Sequence, residues 1–342
     1  MITAAPLATP EQAITPVPAS RWQLAWRQAL RDPMALLARL QLDPAMLGVS
    51  AEALAQFPMR VPEAFVSRMR VGDANDPLLR QVLPIDDEMR LVEGFSLDAV
   101  GDGPARKATG VIQKYRGRAL LVTTGSCAVH CRYCFRRHFD YAAENAARGN
   151  WHEAVAAIAT DPDIDEVILS GGDPLSLATH KLAELTDALR AVPHLKRLRI
   201  HSRLPVVLPE RVDDDLVRWL ASLPWPVAFV IHANHANEFD AAVDQAMARL
   251  RGAGVHLLNQ AVLLRGVNDA LPELIALSER SFAAGVLPYY LFQLDRVQGV
   301  AHFEVSDERA LELHAGLMAH LSGYLVPKLV REIAGDTSKR PL

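Results

Sequence analysis

Three cysteines lie within eight residues of one another, and the chain contains no others. They are Cys127, Cys131 and Cys134, spaced C-x3-C-x2-C. Three thiolates can hold three corners of a cubane iron–sulfur cluster and leave the iron at the fourth corner open. An open iron is a Lewis acid that can bind a small molecule. The spacing therefore predicts a cluster-binding loop in which one iron stays available to a ligand.

Two other interpretations of the cysteines compete with this one. A structural zinc ion could use His130 or His138 as its fourth ligand, but such sites usually draw ligand pairs from two separate segments. Disulfide bonds are disfavoured because three neighbouring thiols cannot all pair. The Pro- and Ala-rich residues 1–19 also show no secretory signal. The iron–sulfur interpretation is preferred, and zinc remains the alternative.

The elements that must position the cysteines are indicated from about residue 110 onward. Apolar, β-branched runs alternate there with helix-like segments, a rhythm typical of parallel βαβ units. The predicted strands are 118–124, 166–170, 197–202, 227–232, 255–264 and 286–292. The predicted helices are about 151–160, 176–192, 213–223, 237–252, 271–284 and 307–322. Successive right-handed crossovers close into a barrel or partial barrel, whose chemistry lies at the carboxyl ends of the strands.

This rhythm predicts three parts in the chain. Residues 1–108 are predicted to be a helical accessory region that starts with a loose arm at 1–19. Residues 109–300 would form an α/β fold, a partial parallel (β/α)6 barrel. Residues 301–342 would form a last helix and a tail. No G-x-G-x-x-G motif follows the first strand, which argues against a Rossmann domain.

Composition and charge exclude several classes of protein. The 342 residues carry 36 Lys and Arg against 40 Asp and Glu, a net charge of −4. This balance does not match the basic surface of a nucleic-acid-binding protein. No apolar run approaches the ~18 residues that a membrane-spanning helix needs. We therefore expect a cytoplasmic protein that binds neither nucleic acid nor membrane.

The second predicted strand ends in Gly171, Gly172, Asp173 and Pro174. Alone, this segment could be an ordinary turn between a strand and a helix. Together with the cysteine pattern it resembles the GGDP segment of the radical SAM superfamily. The resemblance implies that S-adenosylmethionine (SAM) binds the open iron and is cleaved to a 5′-deoxyadenosyl radical. It also implies that the GGDP segment borders the methionine amino group of SAM.

Six segments, in the same order, resemble the lysine 2,3-aminomutase family. They are 127–137, 171–175, 202–209, 232–238, 259–269 and 288–290. The resemblance implies a [4Fe-4S] cluster, SAM and pyridoxal 5′-phosphate acting together. It also implies an isomerase that moves the α-amino group of L-lysine to the β-carbon.

Several residues match family positions that contact pyridoxal phosphate. Lys339 matches the lysine that carries this cofactor, although the family's glycine run before it is largely missing here. Arg118 and Arg203 match positions that hold the phosphate, and Lys114 stands where the family has arginine. His232, at a predicted strand end, would flank the pyridine ring. From the sequence alone, Lys339 would be read as an exposed tail residue, Arg118, Arg203 and Lys114 as surface charges, and His232 as a core histidine.

Three charged residues match family positions that bind the amino-acid substrate. Arg136 matches the arginine that binds the α-carboxylate. Asp295 and Glu332 match the two acids that bind the distal ammonium, and Glu332 is one methylene longer than the usual aspartate. Without the resemblance, both acids would be read as solvated surface charges. Two acids disfavour a glutamate aminomutase, because they would repel a second substrate carboxylate.

Because it has no further cysteines, the chain resembles a shorter branch of the family. That branch makes (R)-β-lysine for modification of translation elongation factor P, and a separate ligase attaches it. The resemblance also implies a reducing electron donor such as flavodoxin. The alternatives are a radical SAM enzyme without pyridoxal phosphate, such as an activase, and a zinc-stabilised module without enzyme activity.

Overall fold

The computed structural model describes residues 20–144, 146 and 151–342, so the predicted arm at 1–19 lies outside the described residues. The helices are α1 (Arg21–Arg27), α2 (Pro33–Arg39), α3 (Ala51–Gln56), α4 (Glu63–Val66), α5 (Pro77–Arg80), α6 (His152–Ala159), α7 (Thr179–Leu189), α8 (Leu204–Val207), α9 (Asp214–Ser222), α10 (Ala241–Gly252), α11 (Leu271–Ala283) and α12 (Asp307–His320). The strands are β1 (Arg106–Ala108), β2 (Val111–Ile112), β3 (Arg118–Thr124), β4 (Glu166–Gly171), β5 (Arg197–Ser202), β6 (Val227–Ile231), β7 (His256–Val262), β8 (Leu287–Phe292), β9 (Lys328–Arg331) and β10 (Arg340–Pro341).

The ten strands of the described residues join one sheet in which each strand pairs with the next along the chain. Strands β3 to β9 run parallel, whereas β1 and β2 precede them and β10 follows them in antiparallel pairing. Arg118 of β3, Arg199 of β5 and Tyr290 of β8 line the same cavity, so the sheet curls around it. The six predicted strands correspond to β3–β8, and the predicted partial α/β barrel is confirmed.

The helices pack on the sheet through short apolar stripes. In α9, the side chain of Asp213 caps the first turn by accepting a hydrogen bond from the Leu216 amide at 2.9 Å. Leu216, Trp219 and Leu220 are buried, a spacing that presents one helical face to the core. Among the helices described, none is both long enough and apolar enough to cross a bilayer.

The sheet extends into the tail, which the sequence did not indicate. Strand β9 pairs with β8 through Tyr290 and Lys328, and β10 pairs with β9. Only Leu329 and Val330 are buried in β9, which is too short to show a strand period. This addition brings Glu332, one residue past β9, and Lys339, one residue before β10, to the mouth of the barrel.

A buried ionic cluster joins the region before the sheet to the cysteine loop. Arg132 is fully buried and donates from Nε to Glu88 at 2.8 Å. Arg137 donates to the same carboxylate at 2.7 Å. The terminal nitrogen Nη1 of Arg132 also donates to the carbonyl of Phe57 at 2.5 Å. One carboxylate is therefore the shared anionic partner of two guanidinium groups that the cysteine loop brings into the core.

We predict that Glu88→Gln destabilises the protein by about 3–5 kcal/mol, because two buried guanidinium groups lose their anionic partner. The matched control is Glu63→Gln, which removes a half-exposed pair with Arg39 and should cost at most about 1 kcal/mol. Urea unfolding of the metal-free protein, followed by tryptophan fluorescence, measures both changes. Equal losses in the two variants would contradict the prediction.

Candidate active site

A cavity of about 270 Å³ runs from the carboxyl ends of the strands into the barrel, and it collects every site residue predicted from the sequence. Those lining residues are Arg118, Cys127, Cys131, Cys134, Arg136, Gly171, Gly172, Asp173, Arg203, His232, Asp295, Glu332 and Lys339. Lys114 lines it as well. The parallel sheet explains most of the convergence, because the cysteine loop, the turn after β4, Arg203, His232 and Asp295 all follow carboxyl ends of its strands. Arg118 is instead the first residue of β3.

Side chains from several elements hold the cysteine loop in place. Trp26 and Arg60 each donate a hydrogen bond to the carbonyl of Cys127 at 3.3 Å. On the barrel side, Arg203 places its Nη1 2.8 Å from the sulfur of Cys131. The loop is therefore bound on one side by the region before the sheet and on the other by Arg203, at the end of β5.

Two glycines allow the turn after β4 to approach the cysteine loop. A Cβ on Gly172 would lie 2.5 Å from the carbonyl oxygen of Ser126. Gly171 has a φ of +112°, and its Cβ would lie 2.9 Å from the carbonyl oxygen of Thr124. Both contacts are to backbone atoms of the cysteine loop, so a side chain at either position would push the two loops apart.

The thiols have the character of a cluster-binding set. Burial raises the pKa of Cys127 well above its usual value, and the neighbouring charges of Asp173 and the other cysteines add to this. Burial likewise raises the pKa of Cys134 to about 11, with Cys131 as the next contribution. Three adjacent thiolates therefore need added positive charge, which the irons of a cluster supply. The donor set fits a three-cysteine [4Fe-4S] site.

The zinc alternative required a histidine as fourth ligand. A ring nitrogen of His130 lies 2.6 Å from the carbonyl oxygen of Pro58, and one of His138 lies 3.1 Å from that of Gln298. Neither histidine lines the cavity. The two candidate ligands are therefore engaged away from the thiols.

Asp173, which follows β4, binds the end of β5 through hydrogen bonds. Its carboxylate accepts hydrogen bonds from the hydroxyl of Ser202 at 2.7 Å and from the amide of Arg203 at 2.7 Å. It also accepts one from the amide of Leu204 at 3.1 Å. Burial raises the pKa of Asp173 to about 6 although these hydrogen bonds oppose the shift. Its oxygens order the wall beside the cysteines.

Charges alternate in sign along one wall of the cavity. Arg136 donates from Nε to Asp102 at 2.6 Å, and Lys114 lies 2.7 Å from the other oxygen of that carboxylate. Lys114 also lies 3.5 Å from Glu332, whose second oxygen is 3.0 Å from the ammonium of Lys339. Burial alone would raise the pKa of Glu332, but Lys339 and Lys114 outweigh it and lower that pKa.

Asp295 faces the same acidic end of the cavity. Burial raises the pKa of Asp295 to about 7, and the charge of Glu332 contributes in the same direction, while Lys114 and Lys339 oppose it. A further cation bound beside Asp295 and Glu332 would offset the repulsion between their two carboxylates.

The residues expected to contact the ring of pyridoxal phosphate have the following surroundings. The ammonium of Lys339 lies 5.0 Å from the ring centre of Tyr115 and 5.5 Å from that of Phe292. His232 contacts His201 at 3.1 Å between ring nitrogens. Burial lowers the pKa of His232 to about 4, with Arg203 next in effect, so the ring is neutral.

The two arginines inferred as phosphate ligands differ in their surroundings. Arg203 is buried and donates to Gln81 at 2.7 Å and to Glu238 at 3.0 Å, in addition to its contact with Cys131. The structure thus gives Arg203 partners other than a phosphate. Arg118 lies 4.5 Å from the ring centre of Tyr115 and, within the described part of the chain, forms no ion pair.

Sequence reasoning missed several residues of the cavity. Asp102 stands between two glycines in a turn, so it resembles a surface residue in the sequence. Glu88, which does not line the cavity but holds the cysteine loop, ends a run of acids and also resembles a surface residue. Tyr141 donates its hydroxyl to the carbonyl of Gly171 at 3.0 Å, but no motif singles it out. His201 had a signal, because it alternates with buried residues of β5 near the strand end.

Comparison with known proteins agrees with this chemistry. The model of the Radical SAM superfamily matches residues 121–277. The L-lysine 2,3-aminomutase of Escherichia coli K12 is 49% identical over 324 residues, which cover 94% of each chain. That of Haemophilus influenzae is 45% identical and covers 93% of this chain and 94% of its own. That of Clostridium subterminale is 32% identical and covers 93% and 77%.

These similarities and the three-cysteine cavity define the class of the protein as a radical SAM enzyme, for which a [4Fe-4S] cluster and SAM are the cofactors. Within that class, the chain belongs to the L-lysine 2,3-aminomutase family and is an isomerase.

We predict that Gly172→Ala lowers the iron and sulfide bound per chain, because the new methyl group would displace the cysteine loop at Ser126. Gly252→Ala is the matched control, since a Cβ there meets no atom within 4 Å. Iron and sulfide analysis after anaerobic reconstitution measures the effect. Full cluster content in Gly172→Ala would contradict the prediction.

We predict that Asp295→Asn stabilises the metal-free protein more at pH 8 than at pH 5. The folded pKa of Asp295 near 7 exceeds the usual value of 3.8, so ionisation between these pH values costs folding free energy. The wild type should therefore lose about 2–4 kcal/mol relative to the variant as the pH rises. Urea unfolding at both pH values measures this, and a pH-independent difference would refute it.

Proposed function

We propose that the protein is a pyridoxal-phosphate-dependent L-lysine 2,3-aminomutase that produces (R)-β-lysine for modification of translation elongation factor P. The observation that carries this proposal is the position of Lys339. Its ammonium lies in the same cavity as the three cysteines, next to Glu332 and two aromatic rings. A lysine of the tail would otherwise be expected in solvent.

Lys339 would bind pyridoxal phosphate covalently, and Arg118 is the cation best suited to its phosphate. Arg118 lines the cavity and forms no ion pair among the described residues, so its five donors remain available. The neutral pair of His201 and His232 offers an uncharged polar wall nearby. These features support the binding of an anionic, aromatic cofactor in the barrel.

The amino-acid substrate would bind between two ends of opposite charge. Arg136 is buried, and its guanidinium is suited to a carboxylate. Glu332 and Asp295 form the acidic end. Glu332 pairs with two ammonium groups of the chain, whereas Asp295 forms no ion pair among the described residues and is the acid left to bind a further ammonium. An amino acid with a distal ammonium fits this arrangement, whereas one with a distal carboxylate would meet two acids.

When bound, the cluster with SAM supplies a carbon-centred radical, and pyridoxal phosphate supplies a conjugated ring that lets an amino group migrate between carbons. The chain's own residues bind and orient. The cysteine loop and the turn after β4 form one side of the cavity, and the acids and Lys339 form another. The aromatic side chains of Tyr115, Tyr290 and Phe292 limit the space for water around the reacting groups.

The role in modifying elongation factor P is the most specific part of the proposal. It is supported by the resemblance to the shorter branch and by the 94% mutual coverage with the Escherichia coli relative. The pathway also needs a separate ligase for β-lysine, a one-electron reductant such as flavodoxin and a cytoplasmic location. Mass spectrometry of elongation factor P from cells with and without the gene would test it.

We predict that Lys339→Arg abolishes β-lysine formation and the label that borohydride fixes on the wild type with pyridoxal phosphate, because arginine cannot carry this cofactor. Lys328→Arg, on the exposed side of β9, is the matched control and should retain both. The assay uses reduced, reconstituted protein with labelled L-lysine and SAM. If the wild type makes no β-lysine, the proposed function is wrong.

A further inference from the structure

Two charged residues of the cavity wall remain without an assigned role in the proposed reaction. Asp102 is only 2% exposed and lies in a turn before β1. Lys114 lies between β2 and β3, and its side chain is 17% exposed. Together they connect Arg136, at the carboxylate end of the site, with Glu332, at the ammonium end.

Asp102 is built into the wall as a fixed carboxylate. Its amide donates to the side chain of Asp98 at 2.9 Å, and the amide of Gly103 donates to the other oxygen of Asp98 at 2.9 Å. Burial alone would raise the pKa of Asp102, but the charges of Arg136 and Lys114 outweigh it, and the pKa is lowered. Asp102 is therefore an anion with two cationic partners.

The contact with Asp102 decides which face of Arg136 is available. Asp102 takes the Nε–H of the guanidinium, at 2.6 Å. The Nη1 nitrogen is 3.4 Å from the hydroxyl of Ser170, a weak contact. The rings of Phe135 and Phe139 lie 4.8 Å and 5.8 Å from the guanidinium carbon. With Nε occupied, the two terminal nitrogens are the pair left to bind a carboxylate.

Lys114 extends this support to the opposite end of the site. Its ammonium lies 2.7 Å from Asp102 and 3.5 Å from Glu332. The segment that carries Asp102 also lies close to the segment that carries Glu332, because a Cβ on Gly101 would lie 3.1 Å from the Cβ of Ala334. An ammonium held between two carboxylates is already neutralised, which makes Lys114 a poor ligand for a phosphate.

We propose that Asp102 is a positioning residue that orients Arg136 toward the substrate carboxylate, and that Lys114 couples Asp102 to Glu332 so that the two ends of the site keep a fixed relation. This inference rests on the proposed function, since it assumes an amino acid with a carboxylate and a distal ammonium. Asp102 and Lys114 act on the substrate through Arg136 and Glu332.

The test compares two ligands that differ only in the carboxylate. They are L-lysine and 1,5-diaminopentane, which is lysine without its carboxyl group. Dissociation constants are measured by equilibrium dialysis with labelled L-lysine and by competition, on reconstituted but unreduced protein so that no turnover occurs. The readout is the preference for L-lysine, defined as the ratio of the two dissociation constants.

We expect Asp102→Asn to weaken L-lysine binding about 10- to 100-fold, the usual effect of losing a hydrogen bond to a charged group. Binding of 1,5-diaminopentane should change less than about twofold, because it does not use Arg136. The preference for L-lysine therefore falls by a similar factor. A general distortion of the cavity would weaken both ligands together and leave the ratio unchanged.

Lys114→Met is the second variant. Because the side chain of Lys114 is partly exposed, we expect this variant to fold even if Asp102→Asn does not. We expect the preference for L-lysine to fall at least about threefold, because Asp102 loses the ammonium that holds its second oxygen and so orients Arg136 less strictly. The loss of an ammonium beside Glu332 acts on both ligands and cancels in the ratio. Asp163→Asn and Lys328→Met change exposed residues of the same types and are the matched controls. Iron content and unfolding temperature accompany each measurement.

The outcomes separate the inference from the function on which it rests. An unchanged preference in both variants, or equal weakening of both ligands, overturns the positioning role. A fall in Asp102→Asn alone overturns the coupling through Lys114. If the wild type does not bind L-lysine, or binds it no better than 1,5-diaminopentane, the proposed function itself fails and the inference falls with it.

Discussion

The pairing of charges inside the barrel mouth is the constraint on which the site depends. A charge taken out of water must be compensated nearby, or it destabilises the fold by several kcal/mol. The wall satisfies this condition with a series of groups that alternate in sign, from Arg136 through Asp102, Lys114 and Glu332 to Lys339. Each group in the interior of the series has two partners, so its geometry is determined from both sides.

The same constraint explains why residues distant in the chain share the site. Asp102 and Lys114 come from the segments before β3, whereas Glu332 and Lys339 come from the tail after β9. The barrel strands alone would supply the cysteine loop, the turn after β4 and Asp295, but not Glu332, Lys339 or the pair of Asp102 and Lys114. The flanking segments thus add a series of paired charges to a common α/β scaffold, between Arg136 of the cysteine loop and the acids of the opposite end.

The cysteine loop depends on a separate cluster of buried charges. Glu88 pairs with both Arg132 and Arg137, and Arg203 approaches the sulfur of Cys131. The loop is therefore held on one side by the segments before the sheet and on the other by β5. Because burial raises the pKa values of Cys127 and Cys134, positive charge bound beside them would stabilise their thiolates and, with them, the loop.

The amino-acid sequence by itself determined the cluster motif, the six central strands and the approximate site. Local patterns suffice there, since C-x3-C-x2-C is contiguous and runs such as 118–124 and 197–202 are long enough to show strand character. The resemblance to a family then singled out Lys339 and Glu332, which local physics would have assigned to the surface.

Only the tertiary structure decided how the ends of the chain join the barrel and which charges meet. Strand β9 forms because Leu329 and Val330 pair with the edge of β8. The four residues of β9 do not by themselves indicate which strand they will pair with. Asp102 reads as a turn residue in the sequence, and it becomes a buried anion only where Arg136 and Lys114 converge on it. Such pairings are long-range, and a charge acquires its role from neighbours that the chain order does not reveal.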